Sequence, residues 1–279
     1  MIIDGKKMAD GILEGLKSRV QKLKKRGIKP RLGIVMIGER LDSKIYVSNK
    51  RKAGNQVGIE TKLYDFPEDM EEKELIDFIK KLNDDKDVHG ILVQLPLPGH
   101  INEEKVLSVI SPEKDVDGLT SFNVGNLSLG NEFLAPCTPK GIIRMLERMN
   151  IPVEGKNVVI VNNSNVVGKP LALMLINRFA TVTVCHVKTK NLKEHTKDAD
   201  ILITATGVTK LIKKDMVKEG AVVIDAGISH IKEKVQGDVD FNEVKDKVSY
   251  ITPVPGGVGP MTVVMALENT LIAAEMSNK

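Results

Sequence analysis

Several groups of residues have the types and spacing that chemistry requires. Tyr46 and Lys50 stand at i and i+4 in SKIYVSNKRK, so on a helix they share one face. A lysine beside an aromatic ring in a partly desolvated cleft can have its pKa lowered enough to move protons near neutral pH, although the same spacing also serves surface packing. Gln94 closes the apolar run ILVQLP at what would be the carboxyl end of a strand. Asp115 and Asp117, two apart in KDVDG, read either as a carboxylate pair or as a turn of solvated charges.

The remaining groups are glycine-bearing turns. In VVIVNNSNVVGKP an apolar strand runs into Asn162, Asn163 and Ser164, and Gly168 opens a helix. A turn after the first strand of a doubly wound sheet brings N–H groups and a helix N-terminus to a dinucleotide pyrophosphate. With one glycine the motif is not GxGxxG, and an ordinary βα turn also accounts for it. The segments ending in Gly207 (ATG) and in Gly227 and Ile228 (DAGI) close two further apolar strands. TPVPGGVGPMT places Pro255, Gly256 and Gly257 before a helix that Thr262 can cap, as a ligand-facing loop or as a rigid structural turn. Cys137 and Cys185 have no evident base and read as buried structural cysteines.

The elements that must position these residues follow from periodicity. Met8, Ile12, Leu16, Val20 and Leu23 make one apolar stripe of a helix ending near Lys25. Runs at 32–37, 59–64 and 90–95 alternate with helical stretches at 43–57 and 71–82, the pattern of βαβ units. After a helix over 139–149, near-continuous apolar runs at 158–161, 181–185, 201–205 and 221–225 repeat the alternation, as in strands covered on both faces. The break between the two series falls between Thr120 and Pro139, where Gly125, Gly130 and Pro136 interrupt both patterns. The expected fold is therefore α/β, two domains flanking a cleft. The second is a Rossmann-like doubly wound parallel sheet, and the C-terminal helix packs back on the first domain.

Composition narrows the classes. The 279 residues, 42% hydrophobic and 28% charged, suit about two globular domains. With aromatics at 3% and no tryptophan, a stacking platform for single-stranded nucleic acid cannot be assembled. Net charge is +4, from 41 basic against 37 acidic residues, a mild bias that suits an anionic small molecule. Two cysteines without CxxC or HExxH spacing point to no structural metal and no disulfide framework. There is no signal-peptide pattern and no apolar run of membrane length, so the cytoplasm is the expected location.

Taken in order, YVSNKRKAGNQVGI, GILVQLPLP, SPEKDVDGLT, PCTPKG, NNSNVVGKP and TPVPGGVGPMT resemble the bifunctional methylenetetrahydrofolate dehydrogenase/cyclohydrolase family over essentially the whole chain. The resemblance implies a folate-binding catalytic domain over 1–138 with the helix 262–279, and a dinucleotide domain over 139–261. It implies oxidation of 5,10-methylenetetrahydrofolate with NADP and hydrolysis of the product to 10-formyltetrahydrofolate. By resemblance Lys50 is the acid/base residue and Gln94 positions and tunes it. Tyr46 stacks near the folate rings, Asp117 anchors the pterin, Ser43 lies nearby, and Pro255, Gly256 and Gly257 line the folate site. Asn162, Asn163, Ser164, Gly168, Gly207, Gly227 and Ile228 face the dinucleotide, and a homodimer pairs through that domain.

The chain departs from the family at two positions. Asn163 replaces the usual arginine and Val187 a common serine, both 2′-phosphate contacts, so NAD rivals NADP unless Lys188 or Lys190 substitutes. The rival functions are another two-domain NAD(P)-dependent small-acid dehydrogenase and a non-enzymatic nucleotide- or RNA-binding protein. A family member retaining only the dehydrogenase is disfavoured by the presence of Tyr46, Lys50, Gln94 and Asp117.

Overall fold

The computed structural model describes residues 1–231 and 234–277, which divide into two units. One comprises residues 10–137 and the chain from Val263 onward; the other comprises Met1–Ala9 and Thr138–Thr262.

The chain enters the first unit at Asp10, within α1 (Gly5–Lys25), whose buried Ile12, Leu16, Val20 and Leu23 form the expected stripe. Lys22, Lys24 and Lys25 fill its last turn, where the helix dipole favours cations. Then come β1 (Arg31–Ile37), α2 (Leu41–Val57), β2 (Glu60–Phe66), α3 (Glu72–Asp84) and β3 (Gly90–Val93). The three strands pair in parallel in the order β2-β1-β3. Every residue of β3 is buried, and Val35, Leu75, Ile79, Val88 and Ile91 share one core cluster between sheet and helices. Residues 114–115 extend the sheet beside β3 through an Ile91–Asp115 bridge and an Ile91 N–H to Lys114 carbonyl bond of 2.7 Å.

Two short helices follow, α4 (Glu103–Leu107) and α5 (Ser121–Ser128). The second lies in the stretch where the sequence showed only a break. Thr120 caps it by accepting from the Asn123 N–H, and Gly130 at φ 86 turns the chain away after it.

The second unit runs α6 (Cys137–Arg148), β4 (Asn157–Val161), α7 (Gly168–Ile176), β5 (Thr181–Cys185), α8 (Leu192–Thr196), β6 (Ile201–Thr204) and β7 (Val222–Asp225). A small hairpin, β8 (Ser229–Ile231) with β9 (Lys234–Gln236), precedes α9 (Phe241–Val244), β10 (Tyr250–Ile251) and α10 (Val258–Met276). The main sheet is parallel throughout in the order β10-β7-β6-β4-β5. Counted within the unit this is a doubly wound 2-1-3-4-5 order, and the winding reverses between β4 and β6. β6 and β7 are buried on both faces, which explains their unbroken apolar runs.

The ends of the chain differ from the sequence expectation. Met1–Ala9 belongs with the second unit, because Ile2 bridges Ile251, the Ile3 N–H donates to the Ile251 carbonyl (2.8 Å) and the Lys6 N–H to the Gly256 carbonyl (3.0 Å). The last helix starts at Val258, ahead of Thr262, since Pro260 in a first turn lacks only an N–H that has no helical partner there. From Val263 its residues pack in the first unit, where Asn269 and Thr270 are fully buried. No helix among the described residues is long and apolar enough to cross a membrane.

Candidate functional site

In the first unit, Ser43, Tyr46 and Lys50 recur along α2 at steps of three and four, so they share a face. Ser43 and Lys50 are buried and Tyr46 is half-buried. The seating of α2 is set one turn beyond Lys50: a Cβ on Gly54 would meet Thr61 Cγ2 at 2.5 Å, so only glycine lets the helix lie this close to β2. Gly58, at φ 84, then ends the helix in the left-handed conformation.

Gln94 follows β3 directly, with its N–H bonded to the Val35 carbonyl of β1 at 2.8 Å. It therefore stands where the β2-β1-β3 winding reverses, at the carboxyl edge. Its side chain is fixed at both ends: Nε2 donates to the Leu95 carbonyl and Oε1 accepts from Lys50 Nζ, each at 2.9 Å.

Asp115 and Asp117 do different work. Asp115 is buried and accepts from the N–H groups of Gly118 (2.9 Å) and Thr120 (2.8 Å) and from Asn123 Nδ2 (2.9 Å), so its carboxylate is consumed in holding the turn. Asn269, reaching in from α10, donates to the carbonyls of Val116 (2.8 Å) and Ala135 (2.9 Å). Asp117, carried between these anchors, lies close enough to Lys50 for each to bias the other's charge.

Burial pushes the Lys50 ammonium below its ordinary pKa, against the opposing pull of Asp117 and Cys137. Burial likewise pushes Asp117 up, opposed by Lys50 and by a hydrogen bond from Cys137. Tyr46 is raised by burial and by the Asp42 charge. The result is a desolvated lysine whose proton can be given up or regained, held on an amide and facing a carboxyl group.

The second unit gathers the glycine turns at the carboxyl edge of its sheet. Asn162 spans the reversal point: its Oδ1 accepts from the Ser164 N–H (2.8 Å), the Ser164 hydroxyl (2.8 Å) and the Gly168 N–H (2.9 Å). Its Nδ2 donates to the Ala205 carbonyl at 2.6 Å, tying the β4 turn to the end of β6. Gly168 and Gly227 are glycines because their own chain crowds them. A Cβ would fall 2.0 Å from the Asn162 carbonyl oxygen in one case and 2.0 Å from Asp238 Oδ1 in the other. Gly207 differs: at φ 71, the nearest atom to its Cβ position is the Ile228 carbonyl oxygen at 3.7 Å. Asn163 is exposed, and Val187 is 97% exposed in the turn after β5. Gly256 and Gly257 fold onto the N-terminal segment, where a Cβ on Gly5 would fall 1.9 Å from the Gly257 carbonyl oxygen.

Lys50, Gln94 and Asp117 are thus brought together and Ser43 and Tyr46 share the helix face of Lys50, while the cofactor-side candidates collect at the other unit's sheet edge. Sequence reasoning missed Asp115 and Asn269 as anchors and Asp225 and Asp238 behind the glycine turns. The polar run Glu268, Asn269 and Thr270 within a largely apolar helix, and Asp225 closing an apolar strand, were the available signals.

A lysine-centred polar site on one parallel sheet and a doubly wound dinucleotide-type sheet beside it in the chain define an α/β enzyme of the two-domain NAD(P)-binding class. Comparison with known proteins narrows this. Residues 3–117 match the tetrahydrofolate dehydrogenase/cyclohydrolase catalytic domain, and residues 136–278 match the NAD(P)-binding domain of the same family. The chain belongs to the tetrahydrofolate dehydrogenase/cyclohydrolase family. It is 54% identical to the bifunctional protein FolD of Methanosarcina barkeri over 98% of this chain and 96% of that one. Its fold matches the FolD methylenetetrahydrofolate dehydrogenase/cyclohydrolase of Campylobacter jejuni with a TM-score of 0.97 at 48% identity, covering 99% and 98% of the two chains. A Trypanosoma brucei enzyme of the same kind, solved with NADP and an inhibitor, matches with a TM-score of 0.97 at 36% identity over 100% and 98%.

Proposed function

We propose that this chain oxidises 5,10-methylenetetrahydrofolate to the 5,10-methenyl form with NAD(P) and hydrolyses that product to 10-formyltetrahydrofolate. The observation that carries the reading is the buried Lys50 ammonium, bonded to Gln94 at 2.9 Å and biased by Asp117, in the unit that matches the family's catalytic domain.

In the hydrolysis, Lys50 in its neutral form takes a proton from the water that adds to the methenyl carbon. It returns that proton to the ring nitrogen as the carbon–nitrogen bond breaks, while the adduct's hydroxyl loses its remaining proton to solvent and becomes the formyl carbonyl. Gln94 keeps Nζ aimed and stabilises its charged form, so it sets both position and pKa. Asp117 anchors the pterin through its ring nitrogens and amino group, Tyr46 stacks near the rings, and Ser43 lies nearby on the same helix face. Hydride transfer requires orientation above all, so the rest of the substrate's binding surface serves to place the reacting carbon.

A dinucleotide fits the second unit's reversal point, where Gly207 leaves the backbone open to approach and Asn162 holds the β4 turn ready. When bound it supplies the hydride acceptor. Ser164, Gly168, Gly227 and Ile228 would complete the surface that holds it. NADP is the family cofactor; neutral Asn163 and apolar Val187 weaken the 2′-phosphate contact and favour NAD as the competing choice. The exposed Ile176, Phe179 and Val184 around the edge strand β5 support pairing of two copies through this unit. The cytoplasm is the compartment this reading assigns.

The test is a spectrophotometric assay with methylenetetrahydrofolate and each dinucleotide. Reduced dinucleotide with a transient methenyl signal is the expected result; binding of dinucleotide with no response to any folate would favour a different small-acid dehydrogenase.

A further inference from the structure

Two buried acids stand directly behind the glycine turns. Asp225 ends β7 and is 3% exposed; Asp238 lies just beyond β9 and is fully buried. Asp238 Oδ2 accepts from the Thr204 hydroxyl at 2.7 Å and from the Thr206 N–H at 2.5 Å. Asp225 accepts from the N–H groups of Gly227 (2.9 Å) and Asp238 (3.1 Å) on one oxygen and of Val239 (2.9 Å) on the other. The Asp225 N–H in turn donates to Thr252 Oγ1 at 2.7 Å, where the chain enters 253–257.

Strand pairing ends at Thr204 and Asp225, so the N–H groups beyond need other acceptors when buried. Asparagine would supply acceptors at a lower desolvation cost than a charged group. Nearby cations do not offset the cost: Lys210 and Lys213 pair with Asp240 at 3.2 and 3.0 Å. Among the described residues neither inner acid meets a cation, and Asp238 Oδ1 has no hydrogen-bond partner. The contact with the turns is also steric. A Cβ on Gly227 would fall 2.0 Å from Asp238 Oδ1, and one on Gly237 2.1 Å from Asp225 Oδ2, so glycine backbone lies pressed against each carboxylate.

We propose that Asp225 and Asp238 are positioning residues for the dehydrogenase reaction, a buried carboxylate frame that holds turns 205–207 and 226–228 in one register. The inference rests on the reading of those turns as the dinucleotide surface. The frame makes dinucleotide affinity depend on side chains that do not touch the ligand, and it leaves the lysine site of the other unit alone.

The test compares wild type with Asp238→Ala, Asp238→Asn and Thr204→Val. Direct titration with NADPH and NADH, dinucleotide KM and kcat, and methenyl hydrolysis are measured for each. Asp238→Ala is expected to weaken dinucleotide binding and raise KM about tenfold or more, with Thr204→Val intermediate. Asp238→Asn, which keeps an oxygen for Thr204 and Thr206, stays close to wild type, and hydrolysis is unchanged in all three. Wild type that binds neither dinucleotide sinks the underlying functional reading. Wild type that binds, with Asp238→Ala and Thr204→Val unaffected, overturns the frame, as does equal loss of both activities in every variant. If Asp238→Ala does not fold, an unchanged dinucleotide KM in Thr204→Val overturns it.

Discussion

Gln94 offers the most discriminating perturbation, because two substitutions at one position should move one titration in opposite directions. The Lys50 ammonium donates to Gln94 Oε1 at 2.9 Å, a bond that stabilises the charged lysine. Bonds of this charge-assisted kind are worth about 1.5–3 kcal/mol, and about 1.4 kcal/mol corresponds to one pKa unit. Gln94→Met keeps the length of the side chain and removes the acceptor, so the Lys50 pKa should fall by about 1–2 units below its already lowered value. Gln94→Glu puts a carboxylate at the same place and should raise it by about 1–3 units. The assay is the pH dependence of kcat/KM for methenyl hydrolysis after subtraction of the uncatalysed rate, which reports the free enzyme. With neutral Lys50 as the base, activity rises with pH through its pKa. The rising limb should therefore move to lower pH in Gln94→Met and to higher pH in Gln94→Glu, whatever happens to the plateau. Limbs that stay in place, or move together, would refute the coupling of Lys50 to Gln94.

Three further outcomes follow from the same geometry. Lys50→Met and Lys50→Gln should each lower methenyl hydrolysis by about 10²–10⁴-fold while leaving measurable dehydrogenase activity; normal hydrolysis by either variant would remove Lys50 from its role. Asn163→Arg combined with Val187→Ser should raise the NADP-to-NAD ratio of kcat/KM by about one to two orders of magnitude, and an unchanged ratio would place selectivity elsewhere, with Lys188 and Lys190 the next residues to change. Asp225, lifted mainly by burial from the usual 3.8 to about 6, binds its proton more tightly folded than unfolded. Its stabilising contribution is complete below about pH 4 and is lost as pH rises through about 6, on the order of 3 kcal/mol, so wild type should lose stability over that window relative to Asp225→Asn. Denaturation midpoints that run parallel in the two proteins would contradict this.

The strands were legible because β3, β4, β6 and β7 are buried on both faces or nearly so, which leaves unbroken apolar runs. The helix face shared by Ser43, Tyr46 and Lys50 was legible for the same reason, as a local periodicity. What joins distant segments was not. Nothing local distinguishes Asp115, spent on its own turn, from Asp117, which faces Lys50. Gly168 and Gly227 read as places for a ligand to approach, yet each is required by an atom of its own chain at 2.0 Å, and one of those atoms comes from Asp238 in a different segment. The N-terminus joins the second unit through backbone bonds to Ile251 and Gly256, which carry no side-chain signature.

The central claim is that one chain performs both reactions and that Lys50 is required for the hydrolysis but not for the oxidation. Its most direct measurement follows methylenetetrahydrofolate and dinucleotide through methenyl- to 10-formyltetrahydrofolate in a single reaction, with wild type and Lys50→Met side by side. Wild type should reach the formyl product with little methenyl accumulation, and Lys50→Met should stop at the methenyl compound. Formyl product formed equally well by both, or no reduction of either dinucleotide by wild type, would contradict the account.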